Sequence, residues 1–168
     1  MKESISGTAL FMIVILFVVL FAGYLSLSIN QNKAFAVKNA IIRVIERHGK
    51  SVNSAAGLVL EPGFSSEIKK ELEEVQYRTN GICNRPSKGD TGWTGFNSKG
   101  EVTFDEKAVV FCVKAVGADG GLLTGSKKGP NPSENLHYFK VKTFYQFDLP
   151  VFRALLDLTI EGTTKAMM

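Results

Sequence analysis

From residue 5 to residue 29 the chain carries no charged side chain, and residues 9–22 are almost entirely Leu, Ile, Val, Phe and Met. About 20 such residues cross about 30 Å of hydrocarbon as a helix, so the pattern predicts a transmembrane helix over residues 5–29 behind a short tail of residues 1–4. Two other readings compete. A soluble core helix rarely stays uncharged for so long. A cleaved signal peptide has a shorter apolar region and more positive charge than Lys2 supplies, although Ala34, Phe35 and Ala36 mimic a small-residue cleavage site and keep that reading open. Ser6, Gly7, Thr8 and Gly23 are small residues that let membrane helices approach one another, without forming a GxxxG pair.

No proline interrupts residues 5–48, so the helix is expected to continue past the span. Over residues 30–49 the pattern turns amphipathic. Val37, Ala40, Ile41, Val44 and Ile45 recur at helical spacing, opposite Lys38, Arg43, Glu46 and Arg47, and Gly49 is a natural stop. A helix over residues 5–48 is about 66 Å long, with its inner half in lipid and its outer half burying one stripe against a domain.

Residues 50–168 form that domain. Pro62 and Gly63 mark a turn, and Ser65 is a candidate cap for a second helix with Glu67 near its positive end. Ile68, Leu72 and Val75 share one face of it, and Thr79, Asn80 and Gly81 are expected to end it. Beyond that point the period changes from helical to alternating. Residues 109–116 read as a strand, as do residues 138–148, where Phe139, Val141, Thr143, Tyr145 and Phe147 lie on one side. Leu156, Leu158 and Ile160 suggest a last strand; residues 101–104 and the surroundings of Cys83 are weaker candidates. Residues 84–100 and 117–136 read as glycine-rich loops. The fold class expected is α+β, a long N-terminal helix packed on a small antiparallel sheet.

Charge changes this picture little. The formal charge is +4, with 20 basic residues beside 16 acids, but the basic residues are dispersed and form no stripe interleaved with aromatics. Nucleic acid is therefore not an expected partner. Orientation is contested within the sequence. Lys2 alone precedes the span whereas Lys33, Lys38, Arg43 and Arg47 follow it, which by the positive-inside rule puts the C-terminal part in the cytoplasm. Against that stand a cysteine pair and the turn-rich composition of the distal part, and the expectation adopted is a domain outside the cytoplasm.

The pair is Cys83 and Cys112. In an exported domain it reads most simply as one disulfide closing a loop of about 30 residues, worth roughly 3 kcal/mol, with two buried free thiols as the alternative. Without CxxC spacing or a nearby histidine the pair offers no tetrahedral metal set, and His48 and His137 are isolated. The stretch GADGGLLTGSKKG places Lys127 after Gly125 and Ser126, out of order for a phosphate-binding loop. No HExxH, GxSxG or Cys/His arrangement occurs. The reading is of a non-enzymatic chain with no catalytic, cofactor or metal site. Trp93 and Phe96, in a glycine-rich loop, are candidate partner contacts or tucked-in loop hydrophobes.

The uncharged span, the segment KAFAVKNAIIRVIERHG after it, the alternating FKVKTFYQFDLPVF and the closing LTIEGTTKAM together resemble type IV pilin-like proteins, especially the TadE-like minor pilins or pseudopilins of tight-adherence pilus systems. The resemblance implies a structural subunit of a surface pilus or pilus-like secretion assembly, in which helices bundle and exchange lipid contacts for helix packing. It implies assembly contacts along Leu10, Val14, Leu16, Val18, Phe21, Val37, Ile41 and Val44, and as partners the lipid bilayer with other pilin-like subunits or assembly-platform proteins. Families of this kind carry a glycine followed five residues later by a glutamate at the start of the apolar run. Here Gly7 is followed by Thr8, Ala9, Leu10, Phe11 and Met12, and the only early acid is Glu3, so prepilin-type processing is not carried over. The alternative reading is a membrane-tethered extracytoplasmic binding or accessory domain of another envelope machine.

Overall fold

The computed structural model describes residues 2–48, 63–77, 79–85, 91–117, 120–121, 137–145 and 158–167, with side chains from residue 7 onward. Helix α1 (Lys2–His48) runs for 47 residues, about 70 Å, and takes in three residues of the expected N-terminal tail. Arg47 and His48 occupy its last turn, where positive charge suits the helix dipole. Helix α2 is Phe64–Val75. Four strands follow: β1 (Thr94–Phe96), β2 (Phe111–Gly117), β3 (His137–Tyr145) and β4 (Leu158–Thr163). They form one antiparallel meander in the order β1-β2-β3-β4, so the architecture is α+β.

The period-two pattern sets which side chains meet. In the register Phe111↔Thr143, Val113↔Val141 and Ala115↔Phe139, one set of side chains faces the helices. The distal half of α1 lies on that face, against β3, β4 and α2. Its stripe of Val37, Ile41, Val44 and Ile45 joins Phe64, Ile68 and Leu72 of α2 and Phe96, Phe111, Phe139, Val141 and Ile160 of the sheet in one core. Phe96 stacks on Phe111 at 5.0 Å and meets Phe64 edge-on at 6.2 Å. Thr143, polar but buried on the same face, donates its hydroxyl to the Ala34 carbonyl at 3.2 Å. The two helices are tied at the ends where they meet: Glu67 accepts from Arg47 and from His48 Nε2, the latter at 2.6 Å.

Several boundaries differ from those the sequence suggests. Gly63, not Ser65, is the N-cap of α2; its φ of 115° turns the chain into the helix, and Ser66 Oγ donates back to its carbonyl. The helix ends at Val75, earlier than residues 79–81, because Gln76 adopts a left-handed conformation. The Gln76 and Tyr77 amides then close on the carbonyls of Glu73 and Leu72. Strand β1 lies inside the stretch that reads as a loop over 84–100. Residues 101–104 form an isolated bridge, Phe96↔Val102, rather than a strand. The tight turn at 97–101, in which the Asn97 carboxamide oxygen accepts from the Lys99 and Glu101 amides, leaves them short of a longer ladder. Around Cys83 the described residues contain no named strand. Leu156, Phe147, Pro62, Gly49 and most of 117–136 lie outside the described residues.

Candidate membrane and assembly interface

The two halves of α1 have opposite surroundings although the helix is continuous. Every residue from 7 to 22 is exposed, and Phe17 stacks on Phe21 along that bare stretch. Over Gly7–His48 the helix is long and apolar enough to cross a membrane. The candidate assembly residues divide accordingly. Leu10, Val14, Leu16, Val18 and Phe21 are 50% to 65% exposed, whereas Val37, Ile41 and Val44 are at most 2% exposed. Those last three are corrected from contacts between subunits to contacts within the chain's own core, because the sheet and α2 already cover them. What remains available for lipid or a neighbouring helix is the proximal half.

The second region is the sheet face turned away from α1. Cys83 and Cys112 are joined there as a disulfide. It sits in a small cluster with Trp93, Val109 and Phe144. Gly81 lies against this cluster with its amide on the Val109 carbonyl, so close to Phe144 that a Cβ would stand 2.2 Å from the ring. Trp93 is 6% exposed and Phe96 is fully buried, so neither is offered to a partner. Trp93 is instead a platform for cations. Lys142 Nζ lies 4.2 Å from its ring centroid and Lys114 Nζ 5.7 Å. Lys142 is buried and its ammonium reaches Glu161 at 3.4 Å, while Lys114 donates to the Thr91 carbonyl at 2.7 Å.

A third feature is an apolar edge beside this cluster. The Thr103 amide bonds to Gly95, which turns the backbone groups of Val102 and Phe104 away from β1. Phe104 is 96% exposed and Val102 also faces solvent. They border a cleft of about 280 Å³ whose other walls include Cys83, Trp93, Val109 and Glu106. Trp93 and Phe96 thus follow the tucked-in reading of the sequence rather than the partner-contact one, and the exposed aromatic is Phe104, in a stretch the sequence offered only as a weak strand candidate. Among the described residues no group of three or more His, Cys, Asp or Glu side chains is placed to hold a metal.

No known protein family, curated relative or solved structure matches the chain.

Proposed function

We propose that this chain is a structural subunit, a TadE-like minor pilin or pseudopilin, of a cell-surface pilus or pilus-like secretion assembly, joined to its neighbours through the proximal half of α1. The observation that carries the reading is the bare apolar half of a helix whose other half is built into the core of the domain. Such a surface is stable in lipid or against other apolar helices, and a bundle of copies replaces one by the other with little change in solvation. The disulfide supports a domain held in an oxidising compartment, outside the cytoplasm.

The sequence at Gly7 favours a second reading, a membrane-resident accessory domain, because no acid follows that glycine within the apolar run. One experiment separates the two. Surface fractions sheared from cells are imaged and probed for the wild-type chain and for Val14→Asp, whose charge lies in the bare half and leaves the core untouched. The subunit reading expects filaments containing the wild-type chain and none containing the variant, while both keep the Cys83–Cys112 disulfide. Wild-type protein confined to the membrane fraction supports the second reading, and filaments unchanged by Val14→Asp overturn the assembly role of the helix.

A further inference from the structure

Two surfaces of the domain are each incomplete, and their chemistry is complementary. On the sheet face away from α1, Lys114 and Lys140 are directly opposed across β2 and β3. Like charges so placed repel unless a counter-charge is supplied. Lys142 has Glu161, and Lys114 has the Thr91 carbonyl and the Trp93 ring. The Lys140 side chain makes no hydrogen bond or ion pair among the described residues. The edge at residues 102–104 has the opposite character: exposed Val102 and Phe104, whose backbone groups take no partner among the described residues, Glu101, Asp105 and Glu106 beside them, and Lys99 and Lys107 at the ends.

We propose that the edge at Val102 and Phe104 of one copy docks on the Lys114 and Lys140 face of the next, with a lysine side chain entering the cleft beside Phe104. The cleft suits that occupant. Its apolar walls, Val102, Phe104 and Val109, accept the aliphatic stem, and Glu106 on the rim receives the ammonium. An open edge with exposed apolar side chains is a template for association, and the three carboxylates select a basic partner over a neutral one. The two surfaces adjoin at Trp93, which walls the cleft and lies under Lys114, so each copy offers both halves of the contact on one side of its sheet. The inference rests on the subunit reading above and adds a contact between the distal domains to the one between helices.

The test uses two differently tagged full-length copies co-expressed in membranes, Lys107→Cys beside the edge in one and Tyr138→Cys beside Lys140 in the other, bridged with a bis-maleimide. The expected result is a mixed-tag cross-linked dimer from this pair and little from Lys107→Cys with Lys69→Cys, an exposed control site on α2. Adding Glu106→Lys to the first copy lowers the yield about tenfold, and adding Lys140→Glu to the second restores it. Glu106→Gln gives an intermediate loss and serves in place of the reversal if that variant fails to form the Cys83–Cys112 disulfide. Equal yield from the control pair, or a yield indifferent to charge reversal, overturns the proposal. Filaments without this cross-link overturn it alone, and the cross-link in cells that make no filaments overturns the pilus reading alone.

Discussion

The Tyr77 hydroxyl bonds both backbone groups of Phe144, donating to its carbonyl and accepting from its amide at 2.8 Å. Tyr77 follows the end of α2 and Phe144 lies near the end of β3, so one side chain supplies the donor and acceptor that another paired residue would supply. Tyr77→Phe keeps the ring and strands both groups away from water. The expected loss is about 1–3 kcal/mol in urea unfolding with an unchanged m-value. A loss below the error of that measurement contradicts the role.

The same hydroxyl gives the domain an alkaline limit. Burial raises the Tyr77 pKa from its ordinary 10.0, outweighing the opposing hydrogen bonds with Phe144 and Thr79. The unfolded chain therefore ionises first. The contribution is whole below about pH 10 and declines as pH rises from there toward the folded-state value. Thermal melts between pH 9 and 11.5 are expected to fall more steeply for the wild type than for Tyr77→Phe; parallel curves contradict this.

Reducing the disulfide, or replacing Cys83 and Cys112 together by alanine, is expected to cost about 2–5 kcal/mol. The bond ties the chain after α2 to the start of β2 across a sequence separation of 29. Hydrogen exchange in the reduced protein should quicken first around Gly81 and Val109, whose amide and carbonyl are bonded beside it. Uniform quickening over α1 and β3 would instead mark global unfolding.

Gly81→Ala is expected to destabilise the domain by about 1–3 kcal/mol, because the added methyl collides with the Phe144 ring. Combining it with Phe144→Leu should recover part of the loss, since the obstacle is the ring itself. No recovery in the double variant places the strain elsewhere.

Ile41→Ala and Leu16→Ala separate the halves of α1. The first opens a cavity between helix and sheet and is expected to cost about 2–5 kcal/mol of domain stability; the second touches nothing in the domain and should stay within about 0.5 kcal/mol. Measured in detergent micelles, comparable losses from both would mean the bare half also supports the fold.

The sequence makes the largest features legible because each rests on a repeating pattern. An uncharged run marks the bare apolar half of α1, the stripe of Val37, Ile41 and Val44 marks the buried helix face, and alternation from Tyr138 onward assigns faces along β3. Patterns fail where contacts are long-range or elements are short. Nothing near Tyr77 reveals a partner 67 residues away. Strand β1 has three residues, one of them glycine, too few for a period to emerge. For Trp93 the tucked-in reading holds, but what covers it was not legible, since lysines from neighbouring strands score as solvent-seeking although their stems lie over its ring. The stripe on α1 reads equally well as a seam between subunits, and only the packed sheet shows that it is already occupied.

Because α1 passes unbroken from its bare half into the core, the sheet has no swivel of its own. In the proposed assembly, the compass bearing of Lys140, Phe104 and the disulfide about the helix axis would be set by the rotational phase of α1 among its neighbours. One residue inserted near Ser28 would turn the whole domain by about 100° and lift it about 1.5 Å, so copies in such an assembly would present matching faces only while the residue count along this helix is kept.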